Sequence, residues 1–369
     1  MERTKEPTRD YPSLSRTPWT LWETLYARRS HRKYLPMDRD AGLEKRLRET
    51  LSLAVTVRGA EEGDLLPVTE PARVEEVKRR AHRGAPNKIN LWLSRAPVYG
   101  FLALAVPAED VRSDTPRRLM RAAVAAQDTV LWLTENGLGT CWLGGINQEE
   151  VRRALGLGTG TVVPALVSFG RPKPRVRAAD FDHLVYRTIS RHRKPLSAVA
   201  CWQKLENPFS VDKEEPAVVS ASPTQDVAGL LRRIREGASG DADVPLELGL
   251  EACLEAARMA PSAGNAQRWR FVALTGEGNL AEVAEACGAG ERWRAAVVGL
   301  GRPGGWEATF FEKPFWMVDL PIAFSHLTLM AASLGWPVDL RLDGYDAVRV
   351  SRAVGATPEF RPAGIMGVM

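Results

Sequence analysis

Pro261-Ser262-Ala263-Gly264-Asn265-Ala266-Gln267-Arg268 puts a hydroxyl, a glycine and two side-chain amides between two apolar segments. An amide offers a donor and an acceptor side by side, so Asn265 and Gln267 suit the edge of a flat heterocycle that alternates the two. A second stretch, Arg28-Arg29-Ser30-His31-Arg32-Lys33, surrounds a hydroxyl with cations. Guanidinium forks match phosphate oxygens two at a time, which makes this a reasonable phosphate grip. A third, Leu138-Gly139-Thr140-Cys141-Trp142-Leu143-Gly144-Gly145, ends in adjacent glycines, where a backbone can approach a ligand closely or simply turn. Each stretch also has a plain structural reading: a capped loop, a solvated charged face and a turn.

The elements around these stretches are legible from periodicity. Leu250, Cys253, Leu254 and Ala257 repeat at the spacing of one buried helical face, and Pro261 should end that helix by pushing Ala260 out of the helical region. Phe271-Val272-Ala273-Leu274 then reads as a strand. A short helix carries Leu21, Trp22 and Leu25 into the cationic stretch, and Leu43, Leu47 and Leu51 mark the next one. Residues 98–106 read as a core strand. Leu119, Ala122, Ala123, Ala126, Val130 and Leu133 give a long helix that stops at Asn136-Gly137. Its alanines would permit close packing against a second helix. Asn147 starts another helix, and residues 162–169 read as a strand closing on Gly170. Residues 201–224 dissolve into Pro, Ser and charge, the composition of a linker or insertion. A helix with Ile322, Leu329 and Met330 on one face spans 319–333, with Pro321 inside it. The last thirty residues read as a docked apolar tail.

APSAGNAQRWRF, with LEAAR before it, resembles the flavin-binding loop of the nitroreductase family, usually APSxxNxQPWRF; Arg268 stands where the family has proline. Arg28-Arg29-Ser30-His31-Arg32-Lys33-Tyr34 resembles the family's RRSxRxY signature. GLGTCWLGG resembles the segment beside the flavin ring, and Arg191-His192-Arg193-Lys194-Pro195-Leu196 the late RKPL element. The resemblance implies an α+β nitroreductase-like fold and FMN as cofactor. By motif it assigns Arg28, Arg29, Ser30, Arg32, Arg193 and Lys194 to the phosphate and ribityl chain. Leu143, Gly144 and Gly145 fall at the ring edge, where a backbone N–H would face flavin N5. Pro261, Ser262, Asn265 and Gln267 fall in the loop that reaches the flavin of the neighbouring subunit.

The signatures do not recur evenly. A second, weaker pass begins near residue 230: Arg232-Arg233 echoes Arg28-Arg29 with no serine after it, and Leu334-Gly335-Trp336 echoes Leu138-Gly139 with no glycine pair. In the first pass, residues 54–63 hold neither Asn nor Gln where the amide loop would fall. Half one (18–200) keeps the grip and the ring-edge glycines; half two (230–369) keeps the amide loop; 201–229 joins them. Two tandem halves would then form a pseudo-dimer within one chain and assemble one composite site. The chain resembles the fused, two-half nitroreductases, over about residues 19–340.

Composition sets the outer bounds. A chain of 369 residues with 44% hydrophobic and 26% charged residues is ordinary globular protein. Fifty basic against 45 acidic residues leave only +5, interspersed, which argues against nucleic acid as a partner. No run approaches the roughly 20 apolar residues that span a membrane, and Met-Glu-Arg-Thr-Lys-Glu lacks a signal-peptide core. Cys141, Cys201, Cys253 and Cys287 lack metal or disulfide spacing, so reduced cysteines in a cytoplasmic setting are expected, and no metal. The expected partners are NAD(P)H and a small electron-poor acceptor, with the chain a monomeric pseudo-dimer or a weak homodimer. No general acid stands out. His31, His183 and His326 are the candidates, and a lone histidine is more often a satisfied core or surface residue. The rival reading is a nitroreductase-like pseudoenzyme that binds flavin weakly or not at all and acts through protein contacts.

Overall fold

The computed structural model describes residues 21–82, 85–174, 193–209, 226–237, 244–303 and 315–369. His183, Arg191 and His192 lie outside them. In the first half, α1 (Leu21–Ala27), β1 (Tyr34–Leu35), α2 (Ala41–Arg58), β2 (Leu65–Val68) and α3 (Pro71–Ala81) lead through a 3-10 segment to β3 (Gly100–Leu104). Then come β4 (Val106–Pro107), α4 (Ala108–Arg112), α5 (Arg117–Glu135), β5 (Gly139–Leu143), α6 (Gln148–Ala154), β6 (Thr161–Val162), β7 (Leu166–Pro172) and β8 (Ala200–Trp202). The second half has α7 (Val227–Glu236), α8 (Leu246–Arg258), β9 (Trp269–Thr275), α9 (Asn279–Ala286), β10 (Ala295–Gly301), α10 (Trp316–Ser333), β11 (Val338–Arg341), α11 (Ala347–Ala353) and β12 (Arg361–Val368).

The two sheets repeat one plan. β5–β7–β3–β2 in the first and β11–β12–β10–β9 in the second have the same order and are antiparallel throughout. β1 pairs with the far end of β7, alongside the same edge as β5. β8 is parallel to β9, so the strand that ends the first half's chain completes the second half's sheet. Val162 and Leu166 belong to different strands; residues 162–169 are not one strand, because Pro164 removes a ladder donor between them.

α5 and α10 pack against each other between the sheets, with α2 against α5 and α8 against α10. One apolar core runs from Leu25, Leu47 and Leu133 through Leu254 and Phe271 to Phe324 and Met366. Separate, smaller cores lie beneath α3 and α6 on the outer face of the first sheet and beneath α9 and α11 on that of the second. The halves share their principal core. At its centre lies a buried ion pair: Arg58 of α2 donates to Asp128 of α5 at 2.7 and 3.1 Å, and Ser325 of α10 donates to the same carboxylate at 2.6 Å.

The C-terminal segment is not a docked tail. β12 sits between β10 and β11, with Ile365, Met366 and Val368 buried. Two of its glycines leave room for rings from elsewhere: a Cβ on Gly364 would come within 2.6 Å of Phe324, and one on Gly367 within 2.1 Å of Trp293. Pro321 does not break α10, which runs through it with the loss of one backbone donor.

At the C-terminal end of α5, the Glu135 carboxylate accepts the Val227 backbone N–H at the start of α7, at 3.1 and 3.3 Å. Burial pushes its pKa up to about 8; that hydrogen bond opposes the shift and the Asp226 charge adds to it. A carboxyl whose folded pKa is raised contributes stability below its unfolded pKa of 4.5, and that stability is lost as pH rises through 8. Replacing Glu135 with Gln should therefore leave the urea midpoint unchanged near pH 5. At pH 9 the variant should be more stable than the wild type by about 1–2 kcal/mol, discounted for the group's partial exposure. Equal midpoints at pH 9 would remove the buried acid from the account.

Candidate functional site

The cationic stretch leaves α1 and lies along β5. Ser30 bridges Thr140 in parallel, and the His31 N–H donates to Thr140 O at 2.8 Å. This sets Arg28-to-Arg32 beside the strand that ends at Leu143 and Gly144. Burial raises the pKa of the Cys141 thiol, while Arg32, Arg28 and the Ser30 hydroxyl act the other way. Cys141 is therefore a packed thiol within reach of the grip. Arg28 is buried and Ser30 exposed. Among the described residues, the Arg29 side chain makes no hydrogen bond or ion pair.

The amide loop is held in an unusual backbone. Gly264, Asn265 and Gln267 all have positive φ, at 56°, 55° and 48°. Asn tolerates this left-handed region; Gln costs of order 1 kcal/mol there, so surrounding contacts must impose it. They do. The Gln267 N–H donates to Ser262 Oγ at 3.0 Å, and Asp319 of α10 accepts the Ala263 N–H through both oxygens at 3.0 Å. Arg193 donates to Met259 O, Ala260 O and Asn265 Oδ1 at 3.0, 2.6 and 3.0 Å. Gln267 is 1% exposed; its Oε1 accepts the Lys194 N–H and its Nε2 donates to Asn265 O, at 2.9 and 3.1 Å. The predicted cationic pair and the predicted amides thus come together, partly on one another.

Two connections join this loop to the first-half elements. Phe315, preceding α10, lies against Gly144 so closely that a Cβ there would be 2.6 Å from its ring; the Asp319 N–H bonds Phe315 O at 2.8 Å. Asn90 donates to Gly145 O at 2.6 Å and fixes the other glycine.

The second connection crosses the middle of the molecule. Trp142 Nε1–H donates to Gln127 Oε1 at 2.9 Å, Gln127 Nε2 meets His326 Nε2 at 2.8 Å, and His326 Nδ1 meets Ala256 O at 2.9 Å. An indole can only donate, which fixes the Gln127 amide; its NH₂ then donates to Nε2 and leaves the His326 proton on Nδ1. Burial drives the His326 pKa down to about 3, with Arg28 and Arg193 acting in the same direction.

The residues missed by sequence reasoning are Asp319, Gln127 and Trp142. A signal was present: Gln127 and Asp128 interrupt the apolar stripe of α5, and Asp319 is the one acid in the apolar helix α10. Polar groups in a buried stripe must find partners. His326 is a satisfied core residue and not an available acid. Among the described residues there is no group of His, Cys, Asp or Glu placed to hold a metal, and no helix long and apolar enough to cross a membrane.

The fold and the site together define an α+β protein of two tandem halves, built as a pseudo-dimer, with its candidate site where the halves meet. The sequence pattern of the family described as "Nitroreductase family" matches residues 40–171 and 239–316, more than half of the chain. The chain belongs to the nitroreductase family, and that membership supports a general oxidoreductase role. No curated protein matches the sequence. Among solved structures, a candidate nitroreductase from Thermotoga maritima is 16% identical, with 92% of this chain and 95% of that one covered and a TM-score of 0.44. A nitroreductase family protein from Clostridium novyi is 20% identical over 42% of this chain and 86% of that one, TM-score 0.34. An FMN-dependent nitroreductase from Clostridium difficile is 19% identical over 44% and 94%, TM-score 0.32.

Proposed function

We propose that the chain is an FMN-dependent oxidoreductase of nitroreductase type, taking two electrons from NAD(P)H and passing them to a small electron-poor acceptor. The observation that carries this reading is the Trp142–Gln127–His326 chain, which ties the ring-edge strand, with the guanidiniums of Arg28 to Arg32 beside it, to the helix that leads into the amide loop, where Arg193 donates to Asn265. That donor set has the chemistry a flavin phosphate requires. Arg28, Arg29, Ser30 and Arg32, with Arg193 and Lys194, hold the phosphate and ribityl chain; the backbone at Leu143, Gly144 and Gly145 and the loop Pro261, Ser262, Asn265 and Gln267 line the ring. When bound, FMN supplies the hydride chemistry, and the chain supplies orientation, electrostatics and exclusion of water. On this reading the halves divide within 201–229, between β8 and α7, and the fused chain acts as a monomer or a weak homodimer.

The test is the visible absorption of the purified protein, with the chromophore identified after release. About one FMN per chain is expected, and Ser30→Ala, at an exposed position, should weaken FMN binding roughly 3- to 10-fold. Two equivalents would overturn the single composite site. A second reading is favoured by Phe315 on Gly144 and by the internal bonds of Gln267: a nitroreductase-like protein that does not use flavin. A chain that stays colourless after incubation with FMN would select it.

A further inference from the structure

His31 stands between the grip residues Ser30 and Arg32, and both of its backbone groups are engaged. Its N–H donates to Thr140 O of β5 at 2.8 Å, and its carbonyl accepts the Tyr34 hydroxyl at 2.9 Å. Each peptide unit is planar and turns as one body, so these two bonds fix the units on either side of His31. The unit before it ends on the Ser30 backbone, and the unit after it on that of Arg32. Thr140 lies on the strand that the grip follows. Tyr34 reaches further, into the middle of the first sheet.

Tyr34 of β1 and Ser168 of β7 are both buried, and their hydroxyl oxygens lie 3.0 Å apart. Ser168 is held on both edges of its strand, paired with Phe101 of β3 and Cys141 of β5. A phenol has one proton to donate. It goes to His31 O at 2.9 Å rather than to Ser168 O, at 3.4 Å. The Ser168 hydroxyl then donates to the phenol oxygen. Burial raises the Tyr34 pKa well above its usual value, so the phenol stays protonated. The ring is fixed as well: it stacks on Trp92 with centroids 6.2 Å apart, and a Cβ on Gly170 would come within 3.2 Å of it. A phenylalanine would keep these ring contacts, and a buried hydroxyl costs stability unless it is bonded. What the hydroxyl adds is a bond from the rigid sheet to the segment that carries the grip.

We propose that Tyr34 and Ser168 are positioning residues: through the His31 carbonyl, their linked hydroxyls hold Ser30 and Arg32 in place for the phosphate of FMN. The phosphate assignment rests on the flavin reading above; the bonds themselves do not. Neither hydroxyl meets the phosphate. Both act on it through the His31 backbone, so their loss should be felt by a ligand that carries the phosphate and not by the flavin ring alone.

The test compares FMN with riboflavin, which has the same ring and no phosphate. Both are titrated by flavin fluorescence against the full chain, after any bound flavin is dialysed away, at one pH and ionic strength. The wild type should bind FMN at least tenfold tighter than riboflavin. Tyr34→Phe should lower that ratio about 3- to 10-fold, the range of one lost hydrogen bond, with riboflavin affinity held within twofold. Ser168→Ala, which leaves the phenol its bond to His31 but removes its support, should move the ratio the same way by less. Equal weakening of both ligands in the two variants would mean a merely structural role and overturn the proposal. A wild type that prefers FMN, with a ratio unmoved by either variant, overturns the positioning role alone. A wild type that binds neither flavin, or binds both alike, sinks the phosphate grip of the flavoenzyme reading and the positioning role with it.

Discussion

Replacing Asp128 with Ala should destabilise the protein by about 3–5 kcal/mol, the range for removing one partner of a buried ion pair. Both side chains are almost entirely inaccessible, at 2% for Arg58 and 0% for Asp128. The truncation leaves the Arg58 guanidinium buried without its counterion and the Ser325 hydroxyl without its acceptor. At roughly 2 cal/mol/K of unfolding entropy per residue, such a loss lowers the melting temperature by about 4–7 °C if the chain unfolds in one step. The double variant Arg58→Met with Asp128→Leu separates the cost of an orphaned charge from any net worth of the pair. It should recover most of the single variant's loss, because apolar replacement of a buried pair is often neutral or better. A loss under 1 kcal/mol for Asp128→Ala would mean that water reaches the pair. Because Asp128 bonds helices from both halves, the single variant should unfold both halves in the same transition. Two separated transitions would contradict the shared core.

What could be read in advance follows from where the chain signals its own environment. α2 buries one regular face, and α5 and α8, though buried nearly all round, still carry leucine and alanine at helical spacing, so that spacing announced all three. β10 and β12 gave no such signal because they are buried on both sides and carry glycines where alternation would show a side chain. Gly299 and Gly364 both lie against Phe324, and Gly301 against Trp316. The missing side chain is supplied by an aromatic ring from a helix, an arrangement no local pattern encodes.

The site divides in the same way. The chemical types of Arg28, Ser30, Asn265 and Gln267 were legible, because a phosphate grip and an amide edge need particular functional groups. Their partners were not. Arg193 clips carbonyls some 66 residues away, and Gln267 turns its amide onto the Lys194 backbone. Arg268 was legible as a departure from a family pattern. Its placement required the register of β9 on β10, which sets its carbonyl to accept the Arg302 N–H.

Lowering the pH from 7.5 to 5 should cost the wild type about 2 kcal/mol more stability than it costs His326→Gln. The imidazole is fully buried, and its nitrogens are engaged by Gln127 and the Ala256 carbonyl in the neutral Nδ1–H form. In the unfolded chain a histidine protonates near pH 6.5, whereas the folded protein holds His326 neutral down to about 3. The folded-state pKa is depressed, so between those values the unfolded chain binds the extra proton. The stability contributed by the neutral ring is present above 6.5 and is lost as pH falls toward 3. Over the span from 6.5 to 5 that is about 2 kcal/mol, at roughly 1.4 kcal/mol per unit. Glutamine has no titration there and can both accept from Gln127 and donate toward Ala256, so the variant isolates the proton from the packing. Urea midpoints of both proteins at the two pH values decide it: parallel losses would mean that His326 protonates in the folded state. In that case the Trp142–Gln127–His326 chain could not be the fixed strut between the ring-edge strand and the amide loop.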